Sequence, residues 1–473
     1  MGRPAATVTF VKLVAGVDSS TQSTKVLLCR AEDGMVVAQA SAAHPDGTEC
    51  DPRHWWNALQ EAGRDLLERA DAVGVAAQQH GMIVLDSGGQ VIRPAMLWND
   101  VKSAPQAREL VTELGGPAEW AARTGSVPTM SFTVTKLRWL AEREPEHARL
   151  ADRVLLPHDW LTWRLAGADG EPTTDRGDAS GTGYFSPVTG TWLPEFASAA
   201  LGKPVSLPRV AAPSEVVGHT PLGAVLSAGT GDNMGAALGL GLRDDDVVVS
   251  IGTSGVAYAL TSKPPGDASG AVAGFADATG RFLPLVATVN AARVLDVTAR
   301  LLGVDASGLS SLALAAEPGA GGLTLLPYLD GERTPNRPSA NGVLRGLTSA
   351  NVTPTNLARA AVEAVLCSLA DAIDHLRACG ITPGRVVLIG GAARSEAIRA
   401  VAPGVFGVPV TVAAPAEYVA LGAARQAAWA LSGAPDVPHW PPRRARTYEG
   451  DPLPRVREQY AALRDDAAAW QVA

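Results

Sequence analysis

Four short stretches of the chain combine residue types suited to handling phosphate. The first is Asp18-Ser-Ser-Thr21-x-x-x-Lys25, at the polar tip of a hairpin pattern. A carboxylate at a strand end can hold a hydrated Mg2+, while a hydroxyl, an ammonium and the tip amides can reach phosphate oxygens. From spacing alone, an ordinary hairpin with a solubilising lysine is the commoner explanation. The second stretch, Gly252-Thr253-Ser254-Gly255, is a similar turn between two strand patterns. In the third, Gly229-Thr230-Gly231-Asp232-Asn233, a strand gives way to a helix. Asp232 there is either a helix cap, the commoner use, or a general base taking a proton from a hydroxyl as phosphate moves onto it. The fourth, Gly390-Gly391-Ala392-Ala393-Arg394-Ser395, lacks both the Lys-Ser/Thr ending of a P-loop and the dinucleotide spacing. Its glycines still allow a flat ligand to approach the backbone closely.

The elements that must carry these residues follow from periodicity. Strand patterns at Phe10–Asp18, Lys25–Cys29 and Met35–Ala40 are followed by a helix from Asp51-Pro52 to about Arg69. Val73–Ala77 returns as a strand, and Met82–Leu85 is expected to continue the sheet. Residues 103–167 read as mostly helical, and residues 171–221 as loop-rich. The opening pattern then recurs: Ser250-Ile-Gly-Thr-Ser-Gly255 parallels Gly16-Val-Asp-Ser-Ser-Thr21. Thr353 and Pro354 start a long helix ending at Cys379-Gly380. Val386–Ile389, a helix from Ser395, Val408–Val412, a helix from Glu417 to about Ala430 and a last helix near Arg455–Trp470 complete the pattern. Strand, helix and strand in alternation imply layered α/β domains, and two like openings imply a duplicated one.

Composition agrees with this and excludes other classes. With 473 residues, 46% hydrophobic and 19% charged, the chain is long enough for two or three domains and far too apolar to be disordered. A net charge of −8 disfavours a dedicated nucleic-acid binder. Four cysteines without a C-x-x-C are too few for a disulfide framework, and Cys367 and Cys379 are too far apart on one helix to bridge. Met1–Phe10 carries no secretory pattern and no apolar run reaches the roughly 20 residues of a membrane span, so a cytoplasmic protein is expected. His44, Cys50 and His54 do not have zinc-site spacing. Asp371 and His375 read as a helix-surface pair, and Trp55-Trp56 as one core ring and one outer ring.

Together, the four motifs resemble those of the FGGY carbohydrate kinases, in order and spacing, from about residue 12 to 432. That family belongs to the hexokinase–actin–Hsp70 superfamily of duplicated ribonuclease-H-like domains. Gln78-Gln79-His80-Gly81, Leu97-Trp98-Asn99-Asp100, Pro157-His158-Asp159-Trp160 and Leu326–Pro335 are similar to segments of the branch that acts on D-xylulose. The resemblance implies an α/β protein of two ribonuclease-H-like domains, 1–242 carrying the sugar site and base and 243–473 binding ATP, with an active-site cleft between them. The activity implied is ATP-dependent conversion of D-xylulose to D-xylulose 5-phosphate. Asp232 would be the base for the 5-hydroxyl and Asp18 would orient Mg2+, with both carboxylates on the metal through water. Gln79, His80, Trp98, Asn99, Asp232 and Asn233 would face the sugar. Thr21, Lys25, Gly252, Thr253 and Ser254 would hold phosphates, and Gly390, Gly391, Ala392 and Ser395 would line the adenine–ribose side. The implied partners are a sugar and ATP, with no nucleic acid or membrane; a homodimer is compatible.

Two residues depart from the family pattern. Ser20 stands where a glycine is common, and its backbone is expected to adopt an allowed conformation. Gln79 replaces a common methionine, adding a hydrogen-bonding group near the sugar. That keeps a kinase for another pentulose or polyol, such as ribulose or arabinitol, as the second reading. An actin- or Hsp70-like ATPase shares the phosphate hairpins, but Gln79-His80 and Asp232-Asn233 argue against it. A third reading is a sugar-binding regulator that has lost catalysis; no helix-turn-helix extension is apparent at either end, and the candidate base Asp232 is present.

Overall fold

The computed structural model describes residues 11–469. Met1–Phe10, including the expected start of the first strand, and Trp470 lie outside the described residues. In chain order the first strands are β1 (Leu13–Ser19), β2 (Ser23–Arg30) and β3 (Val36–Ala43), followed by helix α1 (Pro52–Leu67) and β4 (Ala72–Ala77). After four helices within residues 104–150 come α2 (Pro157–Leu165) and the single turn α3 (Arg176–Ala179). Strands β5 (Val216–His219) and β6 (Val225–Ser227) lead to α4 (Asp232–Leu240). Then follow β7 (Asp246–Ile251), β8 (Gly255–Ala259), β9 (Phe282–Thr288), α5 (Pro354–Ala378), β10 (Arg385–Ile389), α6 (Glu396–Phe406) and β11 (Val410–Ala413). Helix α7 (Tyr418–Ser432), β12 (Ala445–Tyr448) and α8 (Pro454–Ala468) end the described chain.

The chain divides into two compact units. The first comprises the chain up to Leu242 together with Gly274–Phe282 and Glu417–Pro442; the second holds Arg243–Ala273, Leu283–Ala416 and the chain from Arg443. The first crossing therefore falls at residue 242/243, but α7 returns to the first unit, which a division into 1–242 and 243–473 does not capture.

Each unit has a sheet with the same plan. In the first, strands run β3-β2-β1-β4-β6-β5; in the second, β9-β8-β7-β10-β11-β12. Each begins with an antiparallel hairpin (β1/β2 and β7/β8), whose first strand pairs in parallel with β4 or β10. A further parallel neighbour and an antiparallel edge complete both sheets. Buried Val17, Val26, Trp55, Leu59, Val73 and Val75 form the first core, and Val247, Val249, Val365, Leu369, Ile398 and Tyr460 belong to the second.

Small residues let α7 pack tightly within the first unit. A Cβ on Gly422 would stand 1.8 Å from Gly235 O of α4, and one on Gly16 of β1 would stand 1.9 Å from Ala420 O. Backbone meets backbone at both points, so no side-chain rotation can make room.

Two expectations are corrected. Met82–Leu85 does not continue the main sheet: the chain turns at His80 (φ 67°), and Ile83–Leu85 pairs with Arg153–Leu155 in a separate two-stranded sheet. Asp371 is buried rather than a surface partner of His375, because Arg457 and Arg464 of α8 reach it at 3.1 and 2.6 Å. The α5 caps are as expected, with the Thr353 side chain accepting from Asn356 N and Pro354 in the first turn.

The close helix crossing predicts that Gly422→Ala lowers stability by about 1–3 kcal/mol or more. Gly266→Ala, where the added methyl meets nothing within 4 Å, should melt like the wild type. Thermal denaturation of the two variants checks the difference; equal melting would show that the crossing relaxes freely.

Candidate active site

The first carboxylate is set by strand register. Asp18 lies opposite Lys25 across the β1/β2 pair and beside Ala76 of β4. It is 5% exposed, and its Oδ1 has no hydrogen-bond partner among the described residues. Burial pushes its carboxyl up to about 7, with Lys25 pulling it down and Glu417 adding to the rise. Lys25 is committed elsewhere: its Nζ donates to Glu417 Oε2 at 2.6 Å, just before α7 begins.

The hairpin tip is tied by its own side chains. Ser20 N and Oγ both donate to Ser23 O, at 3.0 and 2.9 Å. Among described non-glycine residues only His80, Ala168 and Ala320 have positive φ, so Ser20 adopts the allowed backbone expected of it. Thr21 Oγ1 accepts from Trp98 Nε1 at 2.9 Å and donates to Gln78 Oε1 at 3.2 Å. Its hydroxyl thus joins the half-exposed indole to the segment after β4.

The second carboxylate opens α4. Thr230 and Gly231 pair with Ala76 and Ala77 of β4, which brings Asp232 to the same end of the sheet as Asp18. Asp232 is the first helical residue, and Gly231 holds the cap position. The Asp232 carboxylate accepts from N and Nδ2 of Asn233, at 2.8 and 3.0 Å, rather than from amides one turn further on. The capping explanation therefore does not describe it. Asn233 Nδ2 also donates to Gln79 Oε1 at 3.0 Å. Burial pushes the Asp232 carboxyl up to about 7, and the charges of Asp18 and Asp178 add to the rise.

Around these groups, several buried amide atoms lack partners among the described residues: Nε2 of Gln78, Nε2 of Gln79 and Oδ1 of Asn99. His80 is buried with its ring centroid 4.9 Å from that of Phe132 and 5.7 Å from that of Phe275. Its Nδ1 lies 2.7 Å from Gly181 O. The His80 carbonyl accepts from Lys136 Nζ at 2.6 Å, a buried amine that desolvation pulls down to about 7 against the charge of Asp100.

His158 and Asp159, quoted above only as part of a motif, belong to a buried cluster whose other members, Asp175 and Asp178, sequence reasoning missed. His158 is wholly buried, with Nδ1 2.7 Å from Asp178 Oδ2 and Nε2 3.2 Å from Asp159 Oδ1. Asp175 Oδ1 stands 3.8 Å from the ring, and Asp175 also accepts from Gly177 N, Asp178 N and Thr230 Oγ1. The signal available was Asp175-Arg-Gly-Asp178, two carboxylates in a stretch otherwise read as loop.

The second unit holds the remaining residues. Gly252, Thr253 and Ser254 turn β7 into β8, with Gly252 O and Thr253 O accepting from Ala292 N and Ala291 N. Thr253 is exposed. Gly390 follows β10, the parallel neighbour of β7, and sits against that turn: a Cβ there would lie 2.6 Å from Ile251 O. Gly390 has φ 92°, a conformation that suits glycine. Gly390 and Gly391 are exposed, and Ala392 half-buried. Ser395 caps α6, its hydroxyl accepting from Ile398 N at 3.4 Å. Both loops lie at the carboxyl ends of adjacent parallel strands, where ligands of open α/β sheets bind. Among the described residues no group of three or more His, Cys, Asp or Glu could hold a metal.

Comparison with known proteins gives a consistent result. Residues 13–245 match the N-terminal domain of the FGGY family of carbohydrate kinases, and residues 247–431 its C-terminal domain. A xylulose kinase of Streptomyces coelicolor is 49% identical over 437 residues, covering 89% of this chain and 88% of that protein. One from Streptomyces rubiginosus is 47% identical over 467 residues, covering 95% and 94%. The crystal structure of xylulose kinase from Bifidobacterium adolescentis superposes with a TM-score of 0.90 at 44% identity, covering 96% of this chain and 100% of that one. Two like α/β units, the motifs on their sheet ends and these matches establish that the chain belongs to the FGGY family of carbohydrate kinases.

Proposed function

We propose that the protein transfers the terminal phosphate of ATP to the 5-hydroxyl of D-xylulose, giving D-xylulose 5-phosphate and ADP. The observation that carries this reading is Asp232: a half-buried carboxylate held by Asn233 and Gln79 and pushed up to about 7. A base of that strength takes a proton from a hydroxyl as the oxygen attacks, and releases it readily near neutral pH. The unpartnered amide atoms of Gln78, Gln79 and Asn99 suit a polyhydroxy ligand, since each buried polar atom left unpaired costs about 1–3 kcal/mol. Relatives 47–49% identical to this chain over the aligned residues bear the name xylulose kinase.

In this reading His80, Trp98, Asn99 and Asn233 bound the sugar with Gln79. The Gly252-Thr253-Ser254 turn, exposed at Thr253, would offer amides and hydroxyls to the nucleotide phosphates, and the Gly390–Ala392 turn its open backbone to the base and ribose. Ser395 would act through the α6 cap. Thr21 and Lys25 would serve the phosphates from the first unit after exchanging their present partners. Mg2+ fits the unpartnered Asp18 Oδ1, a hard oxygen donor, with Asp232 as a second carboxylate reached through water. When bound, Mg2+ supplies charge neutralisation of the transferred phosphoryl group. A cytoplasmic location belongs to the same proposal; no helix among the described residues is long and apolar enough to cross a membrane.

Replacing Asp232 by alanine should abolish sugar phosphorylation while nucleotide binding, followed by calorimetry, survives. Turnover retained in that variant would sink the mechanism. The substrate is tested by ADP release against a panel of ketoses and polyols. D-xylulose should stimulate release most strongly; a larger response to ribulose or arabinitol moves the assignment to that sugar, and equal release without sugar favours an ATPase.

Asp18 gives a pH prediction. Its carboxyl titrates near 3.8 when unfolded and about 7 when folded, so the folded state binds the extra proton and loses stability as pH rises between those values. Asp18→Asn removes the penalty. In the absence of nucleotide and metal, its stability advantage over wild type should grow from pH 4 to 7 and then level off, at no more than about 4 kcal/mol. Denaturant melts at several pH values would refute the burial argument if the advantage stayed flat.

A further inference from the structure

The His158 cluster is more expensive than a packing role requires. His158, Asp159, Asp175 and Asp178 are each no more than 2% exposed. Burying such groups is a poor way to gain stability, because desolvation offsets most of the attraction, and apolar residues of similar volume usually serve as well. The arrangement therefore invites another account.

The ring lies between two carboxylates on opposite sides, Asp178 at Nδ1 and Asp159 at Nε2. A neutral imidazole carries one N–H, so one carboxylate would face a nitrogen lone pair. Only the doubly protonated ring presents a donor to both. Burial opposes that charge and Asp159, Asp178 and Asp175 favour it, raising the imidazole, while the same burial pushes the carboxyls of Asp159, Asp175 and Asp178 up as well, so the cluster shares its protons. The Nδ1 contact is a hydrogen bond, whereas the Nε2 contact is an ion pair without hydrogen-bond alignment.

The cluster touches the segments on both sides of the candidate site. Gly229 has φ 77°, and a Cβ there would lie 2.5 Å from His158 Cδ2, so the ring rests on the backbone leading to Asp232. Thr230 Oγ1 donates to Asp175 Oδ2 at 2.9 Å, one residue further along. On the other side, Gly181 N donates to Asp178 O at 2.9 Å, and Gly181 O receives His80 Nδ1. We infer that His158, hydrogen-bonded to Asp178 and flanked by Asp159, is a positioning residue that holds the Gly229–Asp232 segment in register with the segment anchoring His80. The sugar hydroxyl would then meet the Asp232 carboxylate at reacting distance, where small displacements are costly in rate.

This inference rests on the proposed reading of Asp232 as the base, and the experiment separates the two. Steady-state kinetics with D-xylulose and ATP, normalised to folded protein, compare wild type, His158→Gln and His158→Gln/Asp178→Asn. The single variant should lower kcat at least tenfold while KM for ATP stays within twofold. It should also release more ADP than sugar phosphate, as water replaces a misplaced hydroxyl. The double variant, which removes the carboxylate left without a cation, should recover kcat at least threefold. A role in folding alone would lower the folded yield and leave kcat, coupling and KM per folded molecule unchanged, which overturns the inference. If His158→Gln does not fold, Asp178→Asn replaces it: a tenfold loss of kcat with unchanged KM for ATP and an unshifted pH profile of kcat supports the clamp, whereas unchanged kcat, or a loss explained by a shifted profile from the lost Asp178 charge on Asp232, overturns it. Asp232→Ala is run beside them. A dead Asp232→Ala with normal His158→Gln defeats only the clamp, whereas an active Asp232→Ala defeats the base assignment.

Discussion

The first unit is organised around two carboxylates withdrawn from water, Asp18 buried and Asp232 half-buried. Asp18 and Asp232 lie at the same end of one sheet, and the charge of Asp18 is among the causes that raise Asp232. Two carboxylates in such a place resist ionising together, so the pair favours holding a proton. The roles proposed for them, general base and metal-orienting carboxylate, would both gain from that state. Each is ready to exchange a proton near neutral pH, and neither is quenched by a permanent arginine. Lys25, the cation nearest in register to Asp18, is instead held by Glu417.

The duplicated sheet explains why one turn type occurs twice. In both units the parallel neighbour of the first hairpin strand ends where the polar turn begins, so backbone amides and carboxylates gather at strand ends by topology. In the first unit, α7 must approach closely enough for Gly422 and Gly16 to meet neighbouring backbone, and that packing also delivers Glu417 to Lys25. Rigid packing and the charge balance of the hairpin thus depend on the same helix.

Local patterns were legible in the sequence where local rules decide them. The hairpins, the Thr353-Pro354 start of α5 and the glycine turns follow from alternation, caps and backbone freedom over a few residues. The motif set led to the family because four weak signals occur in one order. What could not be read was contact between distant segments. Glu417 meets Lys25 across 392 positions, and Asp371 looked like a surface residue until two arginines of α8 enclosed it. Met82–Leu85 had a strand's composition, but only the turn at His80 decides which sheet it joins. Thr21 was read as a phosphate ligand from its position, and nothing nearby in sequence announces that Trp98 and Gln78 already share its hydroxyl.

That shared hydroxyl bears on how a sugar kinase distinguishes its substrate from water. Water can satisfy isolated donors and acceptors one at a time, but it gains little from their fixed spacing. The Trp98–Thr21–Gln78 and Gln79–Asn233–Asp232 chains fix that spacing: each bond already made orients an atom still free, such as Nε2 of either glutamine. A ligand carrying several hydroxyls on one rigid frame satisfies them together and loses its own freedom only once. A site built to donate also rejects analogues that lack the matching oxygen more strongly than an apolar pocket rejects a missing methylene. In the proposed site, Gln79 in place of a methionine would make selectivity depend on the presence and placement of one hydroxyl rather than on shape.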